Sequence, residues 1–68
     1  MTGNILKSIR KKHNLTQQAL AERLHYSKDG GNVRIAKLEA MKRKVISPYV
    51  VSRFRLYATE LLPDGEWL

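Results

Sequence analysis

The chain has 68 residues, no cysteine and a formal net charge of +7, from thirteen Lys and Arg against six Asp and Glu. This length is that of one small domain, and the lack of cysteine excludes a disulfide framework and a thiolate-ligated metal site. No window approaches the run of about 18 apolar residues that spans a membrane, and the first residues lack the apolar core of a signal peptide. We therefore expect an intracellular protein, stabilised by compact helix packing or self-association.

The charge is distributed unevenly along the chain. All thirteen basic residues lie between Lys7 and Arg55, where only three acidic residues oppose them, and the last ten residues contain three acidic residues and no basic one. Lys and Arg cover helix surfaces in most soluble proteins, but this imbalance favours one face that meets a polyanion.

Helical periodicity dominates the first half of the chain. A first helix is predicted over about residues 4–13. A second is predicted over residues 17–24, after Thr16, whose hydroxyl suits an N-cap. Ala21 is small enough to let another helix approach closely. The residues of these helices expected in the core are Leu6, Ile9, Leu20 and Leu24.

After a break at residues 25–31, a third helix is predicted over about residues 32–42. Ser47 and Pro48 are an N-cap and first-turn pair that opens a fourth helix, and Pro63 ends it. The fold class is therefore all-α, a compact domain of four or five helices. Residues 1–62 form the domain, and residues 63–68 form a short acidic and aromatic tail. The residues of the last two helices expected in the core are Ile35, Leu38, Met41, Val50, Phe54, Leu61 and either Tyr57 or Ala58.

Side chains suited to catalysis are scarce in this sequence. His13 and His25 are twelve residues apart, and no cluster of histidines or carboxylates has metal-ligand spacing. The serines lack a plausible His-Asp partnership, and the Gly30-Gly31 pair follows no strand, so it is not a phosphate-binding loop. We expect no enzyme activity, no metal and no cofactor.

Two segments carry the most information, LTQQALAERL at residues 15–24 and IAKLE at residues 35–39. Two short helices with this pattern suit a steep crossing. These segments resemble the Cro-like (XRE-type) helix-turn-helix family of phage and bacterial repressors. In that family a Leu-Thr-Gln-x-x-Leu-Ala-x-x-Leu segment forms the first helix of the motif, and an Ile-x-x-Ile/Leu-Glu segment anchors the recognition helix. The resemblance covers about residues 6–61.

The sequence departs from the family pattern in the turn. His25 stands where the family has glycine, and four extra residues (28–31) lengthen the turn before the third helix. This helix could begin at Ser27 and break, or begin at Asn32 after the glycine pair. We favour the second, because each glycine inside a helix costs about 1 kcal/mol relative to alanine. The resemblance also implies a partly buried ion pair between Arg10 and Glu39, whose alternative is two solvated charges.

With Ile35 and Leu38 in the core, four residues near the start of the third helix face outward. Arg and Lys suit guanine, Asn suits adenine, and Val can contact a thymine methyl group. The candidate base-contacting residues are Asn32, Val33, Arg34 and Lys37. The alternatives are helix capping for Asn32 and solvated charges for Arg34 and Lys37. By the resemblance and by charge, the candidate phosphate-contacting residues are Gln17, Lys28, Lys42, Arg43 and Lys44.

The fourth helix and the tail contain more apolar residues than one buried face requires. A homodimer interface would use them, and the alternative is a monomer core closed by the tail. The candidate interface residues are Tyr49, Val51, Leu62, Trp67 and Leu68.

Together these features predict a sequence-specific double-stranded DNA-binding transcriptional regulator. We expect a homodimeric repressor, or autorepressor, that binds an inverted-repeat operator in a bacterial cell or phage-infected host, with no membrane or small-molecule partner. Family analogy would make it Cro-like, anti-CRISPR-associated or an antitoxin. The alternative is a protein-interaction module of the same fold that works through the fourth helix and the tail. Membrane-surface binding fits poorly, because no helix combines a wide apolar face with an all-basic polar face.

Overall fold

The computed structural model describes residues 1–62, which are all-α as expected. Four α-helices follow one another, and a short 3₁₀ turn, Thr59–Leu61, comes after them. Within residues 1–62 the extended structure is limited to one isolated antiparallel bridge between Thr2 and Val45. None of the helices in this part of the chain has the length and apolar content needed to cross a membrane. The helices are α1 (Gly3–Lys12), α2 (Gln17–Arg23), α3 (Gly31–Ala40) and α4 (Pro48–Tyr57).

Two predicted helix starts are confirmed by their capping hydrogen bonds. The Thr16 hydroxyl accepts from the backbone N–H of Ala19 at 3.0 Å. The Ser47 hydroxyl accepts from the N–H of Tyr49 at 3.3 Å, and Pro48 is the first residue of α4. Each cap satisfies a backbone donor that the first helical turn leaves free, so these bonds fix where α2 and α4 begin.

The ends of all four helices differ from expectation, in α1 and α2 by one residue: α1 spans Gly3–Lys12, and α2 ends at Arg23. The third helix begins one residue earlier, at Gly31, and ends at Ala40. The fourth ends at Tyr57, because the backbone of Ala58 leaves the helical conformation (φ −148°, ψ 45°). The Thr59 hydroxyl donates to the carbonyl oxygen of Arg55 at 2.7 Å. It thereby occupies the acceptor that a continuing helix would use for the N–H of Thr59.

The core contains the residues that the periodicity selected. Met1 and Ile46 join it, although no helical pattern points to them. Of the two alternatives in α4, Ala58 is buried and Tyr57 is 43 % exposed. Leu38 is half-buried and packs against the core. Met41 is only half-buried. The predicted residues found buried are Leu6, Ile9, Leu20, Leu24, Ile35, Val50, Phe54 and Leu61.

The start of α1 is packed tightly against the end of α3. A Cβ atom on Gly3 would lie 2.5 Å from the carbonyl oxygen of Leu38, so no larger residue fits there without a shift. The Asn4 N–H donates to the carbonyl oxygen of Lys42 at 3.0 Å, and the Ile46 N–H donates to that of Met1 at 2.8 Å. These bonds hold the segment 42–46, and hence its basic residues, against the body of the domain.

Candidate nucleic-acid interface

The turn between α2 and α3 sets the relative position of the two helices. His25, at the position where the resemblance expects glycine, has a left-handed backbone (φ 60°), and so does Gly30 (φ 91°) just before α3. A Cβ atom on Gly31 would lie 2.9 Å from the Cβ of Ala21. The close approach expected at Ala21 is therefore present, and it is made possible by a glycine in the first turn of α3.

The Arg10–Glu39 ion pair joins α1 to α3. The Arg10 Nε donates to Glu39 Oε2 at 2.6 Å and its Nη2 donates to Oε1 at 3.0 Å. Its Nη1 also donates to the carbonyl oxygen of Leu15 at 3.0 Å. The hydrogen bond to Glu39 raises the pKa of Arg10, against the opposing effect of burial. The alternative of two solvated charges is wrong, since Glu39 is 7 % exposed.

All four candidate base-contacting residues of α3 are exposed: Val33, Arg34 and Lys37 share one side of the helix, and Asn32 lies in its first turn. Val33, Arg34 and Lys37 line one shallow groove of about 410 Å³. The N-cap of α3 is Gly30, so the capping alternative for Asn32 is wrong. The exposed surface of α3 thus presents an amide, an apolar side chain and two cations to solvent.

Basic residues flank this face at both ends. Lys28 is exposed in the turn before α3, and Lys42, Arg43 and Lys44 are exposed in the turn after it. Gln17 differs from this group, because it is half-buried and its amide nitrogen donates to Glu39 Oε1 at 3.4 Å. No sequence pattern predicts this contact, which arises from the ion pair that holds Glu39 beside α2.

A groove of about 840 Å³ separates the α2–α3 turn from α4. On its wall, Arg53 Nη1 donates to the carbonyl oxygens of Leu24 and His25, each at 3.0 Å. The Arg53 guanidinium lies 4.4 Å from the ring centroid of Tyr26, and that of Arg34 lies 5.1 Å from it. Sequence reasoning missed this cluster, because its members come from three elements with no common periodicity.

The candidate interface residues differ in exposure and in the grooves that they line. Tyr49 is 83 % exposed and lines the groove that contains Arg34. Val51 and Leu62 are half-buried and pack against the core. Leu62 lines a different groove, beside α1. Trp67 and Leu68 lie outside the described residues, and the homodimer interface stays a prediction. The apolar side chains that α4 exposes most are Tyr49, Leu56 and Tyr57.

Comparison with known proteins gives no relative: no family model, curated protein sequence or solved structure matches the chain significantly. Among residues 1–62, no three His, Asp or Glu side chains converge as metal ligands. The described structure therefore defines a small all-α domain whose third helix carries an exposed, positively charged face.

Proposed function

We propose that this protein is a sequence-specific double-stranded DNA-binding transcriptional regulator of the XRE helix-turn-helix type. The observation that carries the proposal is the outward face of α3, which combines Asn32, Val33, Arg34 and Lys37 with basic residues at both of its ends. An α-helix fits the major groove of B-form DNA, where each base pair presents a distinct pattern of donors and acceptors. The side chains on α3 match three of those patterns.

In this proposal Arg34 and Lys37 donate to guanine O6 and N7, Asn32 makes a pair of hydrogen bonds to adenine, and Val33 lies against a thymine methyl group. The base-reading surface is formed by rigid structure, because Ile35 is buried on the opposite side of α3 and Glu39 is tied to Arg10. A rigid helix presents its side chains in a fixed register along the groove.

The flanking cations supply affinity without reading sequence. Lys28, Lys42, Arg43 and Lys44 contact phosphates on either side of the groove and release counterions. Gln17 has two amide hydrogens, so it can donate one to a phosphate while the other stays on Glu39. These contacts set the register and orientation of α3 on the duplex.

A homodimer would place two copies of α3 on an inverted repeat, with half-sites about 34 Å apart. Such a small domain also gains stability from association. The exposed apolar side chains of α4, Tyr49 and Leu56, offer a surface for it. We propose that the dimer acts as a repressor in the cytoplasm and is controlled by its own concentration.

The proposal is tested by comparing two substitutions on the same surface. Arg34→Ala should weaken binding to a preferred duplex by about 1–3 kcal/mol and relax the preference at one base pair. Lys44→Ala should weaken binding to all sequences alike and lower the salt slope by about one unit. Affinity titrations over a range of salt concentrations measure both effects.

Lys12→Ala is the matched control, because Lys12 lies on α1 in a groove shared with Leu61 and Leu62 and not with α3. It removes the same charge as Lys44→Ala and should leave the salt slope nearly unchanged. Uniform loss of affinity in both Arg34→Ala and Lys44→Ala would show that α3 does not read bases.

A second candidate function is a protein-interaction module, favoured by the exposure of Leu56 (73 %) and Tyr49 on α4. It predicts that Arg34→Ala keeps activity in the cell, whereas DNA recognition by α3 predicts that this variant loses it. Leu56→Ser should lose activity under either function, because Leu56 also lies on the surface proposed for the dimer, so the assay of activity with Arg34→Ala separates the two functions.

A further inference from the structure

Tyr26, in the turn between α2 and α3, is in contact with two guanidinium groups. Arg34 and Arg53 lie 5.1 Å and 4.4 Å from its ring centroid. Both distances are within the range of about 6 Å in which a cation is attracted to an aromatic face. One of these cations belongs to the outward face of α3, and the other belongs to α4.

The Tyr26 ring is held in place by the fold. Tyr26 is half-buried and packs against the core. Its backbone N–H donates to the carbonyl oxygen of Ala21 at 3.0 Å. Arg53, which also lies over the ring, is fixed by its bonds to the carbonyl oxygens of Leu24 and His25. The ring is therefore a rigid platform beside the start of α3.

Arg34 is held by much less. It is exposed, and its guanidinium makes no hydrogen bond or ion pair within residues 1–62, so the Tyr26 ring is its support. A long side chain of this kind loses rotamer entropy when it binds, and that loss weakens the complex. A support that restricts it beforehand reduces the loss.

On the basis of the proposed function, we infer that Tyr26 is a positioning residue that orients Arg34 for base recognition. Stacking uses the flat face of the guanidinium and leaves its N–H donors, which lie in the plane, free. Two of those donors can therefore reach guanine O6 and N7 while the group stays on the ring. Tyr26 would act on specificity without touching DNA.

The test compares Tyr26→Leu with Tyr26→Phe on a duplex that the wild-type protein selects. Tyr26→Leu keeps apolar volume but removes the ring, so we expect threefold to tenfold weaker binding and loss of preference at the base pair read by Arg34. Tyr26→Phe keeps the ring and should bind as the wild type does. Binding to an unrelated duplex should be the same in all three proteins.

A double-substitution cycle separates positioning from a merely structural role. In the Arg34→Ala background, Tyr26→Leu should cause no further loss of affinity, because the side chain that it positions is gone. An equal loss in both backgrounds would show that Tyr26 supports only the fold. Tighter binding by Tyr26→Leu would show that the ring sequesters Arg34, and would also overturn the inference.

A measurement on the wild-type protein tests the inference without depending on whether a variant folds. Without DNA, the NMR order parameter of the Arg34 Nε–H should exceed that of Arg43, an exposed arginine in the turn after α3. Equal, low values would overturn the inference.

If the wild-type protein selects no duplex, the proposed function fails and this inference fails with it. If the wild type selects a duplex, and the Tyr26→Leu and Tyr26→Phe variants both bind it as tightly as the wild type does, only the inference fails.

Discussion

Glu39 is a carboxylate buried in a small domain, and it is stable there because of its partners. Arg10 donates two hydrogen bonds to it, and Gln17 donates a third. Breaking a buried pair by removing one partner is more destabilising than replacing both partners, because it leaves an uncompensated charge. Arg10 is therefore a structural residue at the join between α1 and α3.

Arg10→Met should lower the free energy of unfolding by about 3 kcal/mol, a large part of the total for a domain of this size. Arg10→Met combined with Glu39→Met should recover most of that loss, since no buried charge remains. Urea unfolding of the three proteins measures the differences. A double variant no more stable than Arg10→Met alone would contradict this account of the pair.

For single residues, burial and helix capping could be predicted from the sequence where the residue follows a local pattern. Burial of Leu20 and Ile35 follows from helical spacing, and the caps at Thr16 and Ser47 follow from their hydroxyls. The contacts of Tyr26 with Arg34 and Arg53 could not be predicted, since they depend on how the turn and α4 are placed relative to α3.

Helices α2 and α3 approach each other most closely at two residues with small side chains or none. Ala21 on α2 faces Gly31 on α3, and a Cβ on Gly31 would be 2.9 Å from that of Ala21. Ala21 has no flexible end that could move aside, so the backbones themselves must separate if the glycine is replaced. The crossing of α2 and α3 depends on this contact.

Gly31→Ala should therefore destabilise the domain by about 1–3 kcal/mol, although alanine normally favours a helix. Ala21→Gly in the same chain should relieve the overlap, so the double variant should be more stable than the sum of the two single changes predicts. Thermal unfolding measures all three variants. Additive effects would mean that the two positions do not limit the approach of α2 and α3.

The bounds of the elements were less predictable than their existence. The glycine pair indicates a turn, but only the packing against Ala21 explains why Gly31 belongs to α3 and Gly30 does not. Likewise, the apolar pattern of α4 continues to Leu61, yet the helix ends at Tyr57, where the Thr59 hydroxyl takes the next acceptor. Such ends are decided by single contacts that periodicity does not report.

On the scale of the whole molecule, charge and fold agree. The basic residues lie between positions 7 and 55, and six of them, including Arg34, lie in α3 or in the turns that flank it. The buried sides of α3 tie it to α1 and α2, which leaves its charged side exposed. Under the proposed function, this side meets a polyanion with a groove that accepts a helix.

Selection of duplexes from a random pool at near-physiological salt tests the central claim most directly. The account predicts enrichment of an inverted repeat with half-sites about one helical turn apart, and loss of one base preference in each half-site for Arg34→Ala. Retention of duplexes without enrichment of any sequence would contradict base recognition by α3. Failure to retain any duplex would contradict DNA binding altogether and favour a protein partner for α4.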